Sequence, residues 1–205
     1  MNMPNILFLP GAGGSAKFWE PVAQRLPDDW NKALFNWPGL GDQPHDPAII
    51  NIDDLVRLVE CRIDEPVDLV AQSMGGVIAA RIALSRPEVV RRLVLVATSG
   101  GVDMRRLGGS DWRPDYRKSY PMAADWISQE RAAAPLPVEN IAAPTLLIWG
   151  DADPISPVAV GRELESRIPN AKLCILPGGD HDLALTKSDA VARLIAEHLG
   201  GYVSQ

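Results

Sequence analysis

Ser73 stands where an apolar run gives way to a helical pattern, in Val70-Ala71-Gln72-Ser73-Met74-Gly75-Gly76. A tight strand-to-helix turn crowds the backbone two positions either side of its apex. Those positions demand small residues, and Ala71 and Gly75 supply them. The apex serine is then pushed into a strained conformation with its hydroxyl exposed, over a helix N-terminus that favours developing negative charge. The plain alternative is a serine that caps the helix beginning at Met74. A hydroxyl of ordinary acidity is a weak nucleophile and needs a base within hydrogen-bond reach. Of the three histidines, His198 lies in a C-terminal helical pattern between Glu197 and Leu199 and reads as a solvated helix residue. His181 lies in Gly178-Gly179-Asp180-His181-Asp182, just after the last apolar run. An imidazole base needs a carboxylate to hold its tautomer and stabilise its cation. Asp151 and Asp153, in Trp149-Gly150-Asp151-Ala152-Asp153-Pro154, are candidates, and each also suits a turn before proline. Asp180 and Asp182 flank His181, but adjacent side chains diverge, so neither is the orienting acid. Their charge still favours the protonated imidazole. Leu9-Pro10-Gly11-Ala12-Gly13-Gly14-Ser15 is rich in glycine, which lets backbone approach a ligand closely. It lacks the spacing of a phosphate loop, and G-x-G-x-x-G fails because position 16 is alanine.

With these residues the chain resembles the α/β-hydrolases over nearly its whole length, with Ala71-Gln72-Ser73-Met74-Gly75 as the nucleophile elbow. Ala71 stands where the common pattern has glycine. The resemblance implies the order serine, acid, histidine, and so Ser73, Asp153 and His181. Asp153 is the third residue after Gly150, the family's position for the acid. The resemblance also implies backbone oxyanion donors at Ala12 and Met74. Pro10-Gly11 replaces a frequent His-Gly, which backbone donors do not require. The loop before His45 lies near the site in this fold, so His45 is a possible substrate contact. Gly11, Trp112 and Tyr116 are the expected substrate-binding residues. The implied reaction is hydrolysis of small to medium carboxylic esters through an acyl-enzyme on Ser73, with no cofactor and no metal. Three alternatives share the fold: an acyl thioesterase, a carbon–carbon bond hydrolase, and an esterase for a carrier-linked methyl ester. The segment from Pro10 to Ala16 is similar to the opening loop of stand-alone thioesterases of peptide and polyketide synthesis. An alternative of another class is a non-catalytic ligand-binding protein that kept the fold.

The elements that must position these groups are readable from periodicity. Near-continuous apolar runs at Ile6–Leu9, Ala33–Trp37, Val67–Ala71, Leu93–Ala97, Thr145–Trp149 and Leu173–Leu176 predict strands buried on both faces. Helical patterns fall at about 17–26, 52–63, 74–86, 157–168 and 185–199. Alternation of the two predicts a three-layer α/β/α sandwich with a six-stranded parallel sheet. The resemblance implies a minimal α/β-hydrolase fold, expected to lack the family's first antiparallel strand pair. Residues 1–205 are expected to form one domain, with a short helical lid inserted at about 102–139. Trp112, Tyr116, Tyr120 and Trp126 of this segment either wall a pocket or pack the lid on the body. Arg105, Arg106, Arg113, Arg117 and Lys118 form a solvated face balanced by Asp103, Asp111 and Asp115, or else a hold for an anionic group.

Composition narrows the classes. With 205 residues the chain can bury a full core without staples. A net charge of −6 argues against a nucleic-acid partner. The two cysteines, Cys61 and Cys174, are too few for a disulfide framework and are expected to be buried thiols. The N-terminal apolar run is short and lacks a charged leader, and no stretch reaches about 20 apolar residues. The expectation is a cytoplasmic protein, without a membrane partner, that acts on a small-molecule ester or thioester.

Overall fold

The computed structural model describes residues 3–129 and 135–200. Six strands form one sheet: β1 (Asn5–Leu9), β2 (Asn31–Leu34), β3 (Val67–Gln72), β4 (Val90–Val96), β5 (Thr145–Gly150) and β6 (Ala171–Leu176). Their order across the sheet is β2-β1-β3-β4-β5-β6, and every pair is parallel. The helices are α1 (Glu20–Ala23), α2 (Ile52–Glu60), α3 (Met74–Ser85), α4 (Arg113–Ser119), α5 (Val158–Arg167), α6 (Leu183–Thr186) and α7 (Ser188–Leu199).

Successive strand residues point to opposite faces, and here both faces are apolar. Leu7, Leu9, Leu69, Ala71, Leu93, Leu95, Leu147 and Trp149 pack under α2, α3 and α5 with Leu55, Val59, Ile78 and Leu164. Ile6, Phe8, Val70, Val94, Val96, Leu146 and Ile148 pack under α1 and α7 with Val22, Val191 and Ile195. The result is three layers, helix on sheet on helix, as the near-continuous apolar runs predict.

Several boundaries differ from expectation. The second strand runs over Asn31–Leu34 rather than Ala33–Trp37. The Phe35 amide still reaches the Phe8 carbonyl at 3.0 Å, but the chain then leaves the sheet. Asn36 Oδ1 accepts from the Ala16 amide at 2.8 Å, and the Trp37 amide donates to the Gly14 carbonyl at 2.8 Å. The apolar character of 35–37 therefore serves packing against the 10–15 loop rather than pairing. The expected helix at 17–26 is a 3-10 turn at Ala16–Phe18 followed by the short α1, which starts with proline in its first turn. The expected helix at 185–199 is interrupted at Lys187, which separates α6 from α7.

Two burial expectations are corrected. Cys61 is exposed, because α2 ends at Glu60 and leaves Cys61 at the helix terminus; Cys174 is partly buried on the edge strand β6. His198 is half-buried rather than solvated, and its Nε2 lies 3.2 Å from the Pro144 carbonyl. Among the described residues between β4 and β5 lie α4 and two 3-10 turns, Asp125–Ile127 and Val138–Asn140. Residues 130–134 of the expected lid fall outside the described residues. No helix among the described residues is long and apolar enough to cross a membrane.

Candidate active site

The carboxyl ends of β1, β3, β4, β5 and β6 meet at one rim. Ser73 follows β3 directly, with φ 52 and ψ −121. An L-residue rarely adopts this backbone, and holding it costs on the order of 1–3 kcal/mol. The neighbours enforce it. The Ser73 amide donates to the Val96 carbonyl at 3.0 Å, and the Thr98 hydroxyl donates to the Ser73 carbonyl. A Cβ at Gly75 would lie 2.5 Å from the Leu9 and Pro10 carbonyls, so only glycine lets α3 start this close to β1. Ser73 lines the cavity.

His181 arrives from the turn after β6. A Cβ on either Gly150 or Gly179 would strike the other's backbone, so the exits of β5 and β6 lie in contact. Asp151 Oδ1 accepts from the Gly178 amide at 2.6 Å, and the Ala152 amide donates to the Gly179 carbonyl at 2.9 Å. His181 Nε2 then stands 3.0 Å from Ser73 Oγ, and its Nδ1 stands 2.8 Å from Asp153 Oδ2. Asp153 is 4% exposed, and its other oxygen accepts from the Ile155 and Ser156 amides at 2.8 and 3.0 Å. Of the two candidate acids, Asp153, the one the resemblance implies, reaches the imidazole, and Asp151 holds the neighbouring turn. Asp182 lines the cavity beside His181. Desolvation lifts its carboxyl above the ordinary carboxylate range, while the His181 charge opposes the rise.

The 10–15 loop lies against the serine. A Cβ on Gly11 would overlap Gln72 Oε1 and sit 3.0 Å from the Ser73 Cβ. Ala12 and Met74 both line the cavity. The loop's carbonyls are held from outside. Leu9 O accepts from the Trp19 indole at 3.0 Å, and Pro10 O from the Trp37 indole at 2.8 Å. The Gly14 amide closes a turn on the Gly11 carbonyl at 3.1 Å.

Periodicity gave no sign of several supporting contacts. Gln72 Nε2 donates to the His181 carbonyl at 3.2 Å. Ser156 Oγ donates to the Thr98 carbonyl at 3.1 Å and accepts from the Trp149 indole at 3.2 Å. Ser156 therefore joins the turn carrying Asp153 to the residue that holds the Ser73 carbonyl. The only sequence signal was position, since Gln72, Thr98 and Ser156 lie close behind predicted strand ends.

A cavity of about 780 Å³ opens over Ser73. Its walls include Met74, Val77, Met104, Trp112 and Ile155, with Lys17 and Arg113 among the charged residues. That volume suits a small-molecule ligand. Gly11 and Trp112 line it. Tyr116 also lines it, but its hydroxyl is committed elsewhere: it accepts from the Gly41 amide and donates to the Ala12 carbonyl, both at 2.9 Å. His45 lies outside the cavity walls and pairs through Nε2 with the Met122 carbonyl at 2.8 Å. Of the basic cluster, Arg113 pairs with Asp111 at 2.8 Å, and Arg117 donates to the Ser128 carbonyl at 2.9 Å.

Known proteins resemble this chain in sequence and fold. Residues 6–194 fit the family model described as the alpha/beta hydrolase family. A pimeloyl-[acyl-carrier protein] methyl ester esterase of Neisseria meningitidis serogroup A / serotype 4A (strain DSM 15465 / Z2491) is 25% identical, over 98% of this chain and 78% of that protein. Among solved structures, a serine hydrolase involved in carbazole degradation superposes with TM-score 0.77 at 22% identity, covering 97% of this chain and 91% of that one. An enol-lactonase from Burkholderia xenovorans LB400 superposes with TM-score 0.74 at 20% identity, covering 97% and 92%. At those identities the structural likeness speaks to the fold.

Proposed function

The chain belongs to the alpha/beta hydrolase family, and from that premise we propose that it is a serine hydrolase cleaving small to medium carboxylic esters through an acyl-enzyme on Ser73. The observation that carries this reading is the continuous contact from Ser73 Oγ to His181 Nε2 at 3.0 Å and from His181 Nδ1 to Asp153 Oδ2 at 2.8 Å. A buried carboxylate that already accepts two amides has one oxygen left for the imidazole. It fixes the tautomer that presents a bare Nε2 to the serine.

In the proposed reaction Ser73 Oγ attacks the ester carbonyl while His181 takes its proton. The amides of Ala12 and Met74 receive the oxyanion, which the start of α3 also favours. Protonated His181, steadied by Asp153, passes its proton to the leaving alcohol, and water then repeats the sequence on the acyl-enzyme. The described parts of the expected lid, 102–129 and 135–139, serve as the lid, with Trp112 as an apolar wall for the substrate. The pimeloyl-[acyl-carrier protein] methyl ester esterase named above acts on a methyl ester, which supports the ester reading.

A fluorophosphonate probe tests the assignment. The wild type takes the label at Ser73 and hydrolyses p-nitrophenyl acetate and butyrate, while Ser73→Ala does neither. A folded wild type that resists the probe sinks the proposal. Turnover of acyl thioesters at rates above the oxygen esters would move the substrate class to thioesters and leave the mechanism standing.

A further inference from the structure

We propose that Tyr116 is a positioning residue for the oxyanion donor, one that makes the docked helix α4 part of the catalytic arrangement. The inference rests on the serine-hydrolase reading above and assigns a role in it to a residue of the lid.

The turn that carries Ala12 has little stiffness of its own. Ala12 lies between Gly11 and Gly13, and the turn is closed by the single bond from the Gly14 amide to the Gly11 carbonyl. A peptide next to glycine rotates cheaply, because glycine accepts φ of either sign. The order must come from outside. The Leu9, Pro10 and Gly14 carbonyls are tied by Trp19 and Trp37, both buried in the body. The Ala12 carbonyl is tied by the Tyr116 hydroxyl, which comes from α4.

Donor and acceptor roles are unambiguous here. The Gly41 amide can only donate, so the phenol oxygen accepts from it; the Ala12 carbonyl can only accept, so the phenol proton goes there. One hydroxyl therefore pins the Ala12–Gly13 peptide, which adjoins the Gly11–Ala12 peptide bearing the donor N–H, to the 37–43 loop and to α4 at once. That loop is itself in contact with the turn, since a Cβ on Gly14 would lie 2.5 Å from the Leu40 carbonyl. The ring is braced by Trp112 at 5.4 Å, edge-on, and by Tyr120 at 5.1 Å. Burial pushes the phenol's acidity down, that is, its pKa up, so it stays a donor through neutral pH.

A donor that drifts from the oxyanion position loses transition-state stabilisation and leaves ground-state binding largely intact. Tyr116→Phe keeps the ring and its stacking and removes only the hydroxyl. With kcat expressed per fluorophosphonate-titrated site, the expected result is a fall of about tenfold or more with KM within about twofold. A trifluoromethyl ketone, whose carbonyl carbon takes Ser73 Oγ to give a hemiketal oxyanion, should bind Tyr116→Phe more weakly by a similar factor. A merely structural role would move the melting temperature and not this pair of constants together.

A folded Tyr116→Phe with kcat and inhibitor affinity within twofold of wild type overturns the inference, as does a rise in KM alone. Should Tyr116→Phe fail to fold, amide exchange in the wild type decides. Slow exchange at Gly41 supports the tie, and fast exchange overturns it. A wild type with neither turnover nor label fails at the serine-hydrolase reading; an active wild type with an indifferent Tyr116→Phe fails only here.

Discussion

At the scale of single residues, the site depends on which atom each polar group has left to offer. Asp153 spends one oxygen on two backbone amides and keeps the other for His181; Asp151 spends Oδ1 on the Gly178 amide. The two acids differ by two positions in sequence and by partner in space. Asp153→Asn is therefore expected to lower kcat by about 10³–10⁴, because an amide presents the wrong partner to the imidazole. Asp151→Asn leaves kcat within about tenfold and shows its effect in thermal stability. Steady-state kinetics on both variants check the order, and the reverse ranking would move the acid. The sequence already marked Ser73 and His181 through small neighbours and placement after strand ends. Residue types alone left the two acids open and the family resemblance chose Asp153, since the path of the chain after β5 decides which carboxylate turns inward.

At the scale of elements, the loops at the rim fit because glycines let backbones touch. Gly41 sits at φ 55 with its α-carbon against the backbone of Gly13, so a methyl group there meets both strain and overlap. Gly41→Ala is expected to destabilise the protein by about 1–3 kcal/mol and to displace the turn at Ala12. Chemical denaturation measures the first effect. A loss of esterase turnover per labelled site at a temperature well below the melting transition measures the second. A neutral Gly41→Ala on both counts would mean that these loops are free to separate. The strand at Asn31–Leu34 belongs to the same account. Its apolar continuation, Phe35 and Trp37, reads as strand by pattern, yet Trp37 leaves the sheet to hold the Pro10 and Gly14 carbonyls. Periodicity cannot separate these uses, because both bury the side chain.

At the scale of the whole molecule, the sheet joins the site at one end to a half-buried histidine on α7. His198 is more readily kept neutral than an exposed histidine, chiefly because burial penalises its charged form, with the Pro144 carbonyl working the other way. Its pKa in the folded chain is thus lowered. Below its unfolded value, near 6.5, the unfolded chain takes up the proton first. Stability is full above that pH and declines as pH falls through it towards the folded value. Melting temperature measured between pH 8 and pH 5 should drop, and His198→Gln should flatten the decline. An unchanged slope in His198→Gln would remove this residue from the pH response.

The sequence by itself determined the layering and the reactive end of the sheet. Strand and helix periods, small residues around Ser73 and the spacing of glycines act over a few residues, and such local sterics survive without knowledge of the rest of the chain. The tertiary structure decided what depends on distant segments meeting. Ser73 and His181 are 108 residues apart, and their 3.0 Å contact exists because parallel pairing of β3 through β6 brings their carboxyl ends to one rim. The same holds for Tyr116 on Ala12, 104 residues away. No local pattern records that a phenol in an inserted helix completes the hydrogen bonding of the first loop, because the contact is a property of how the two pack.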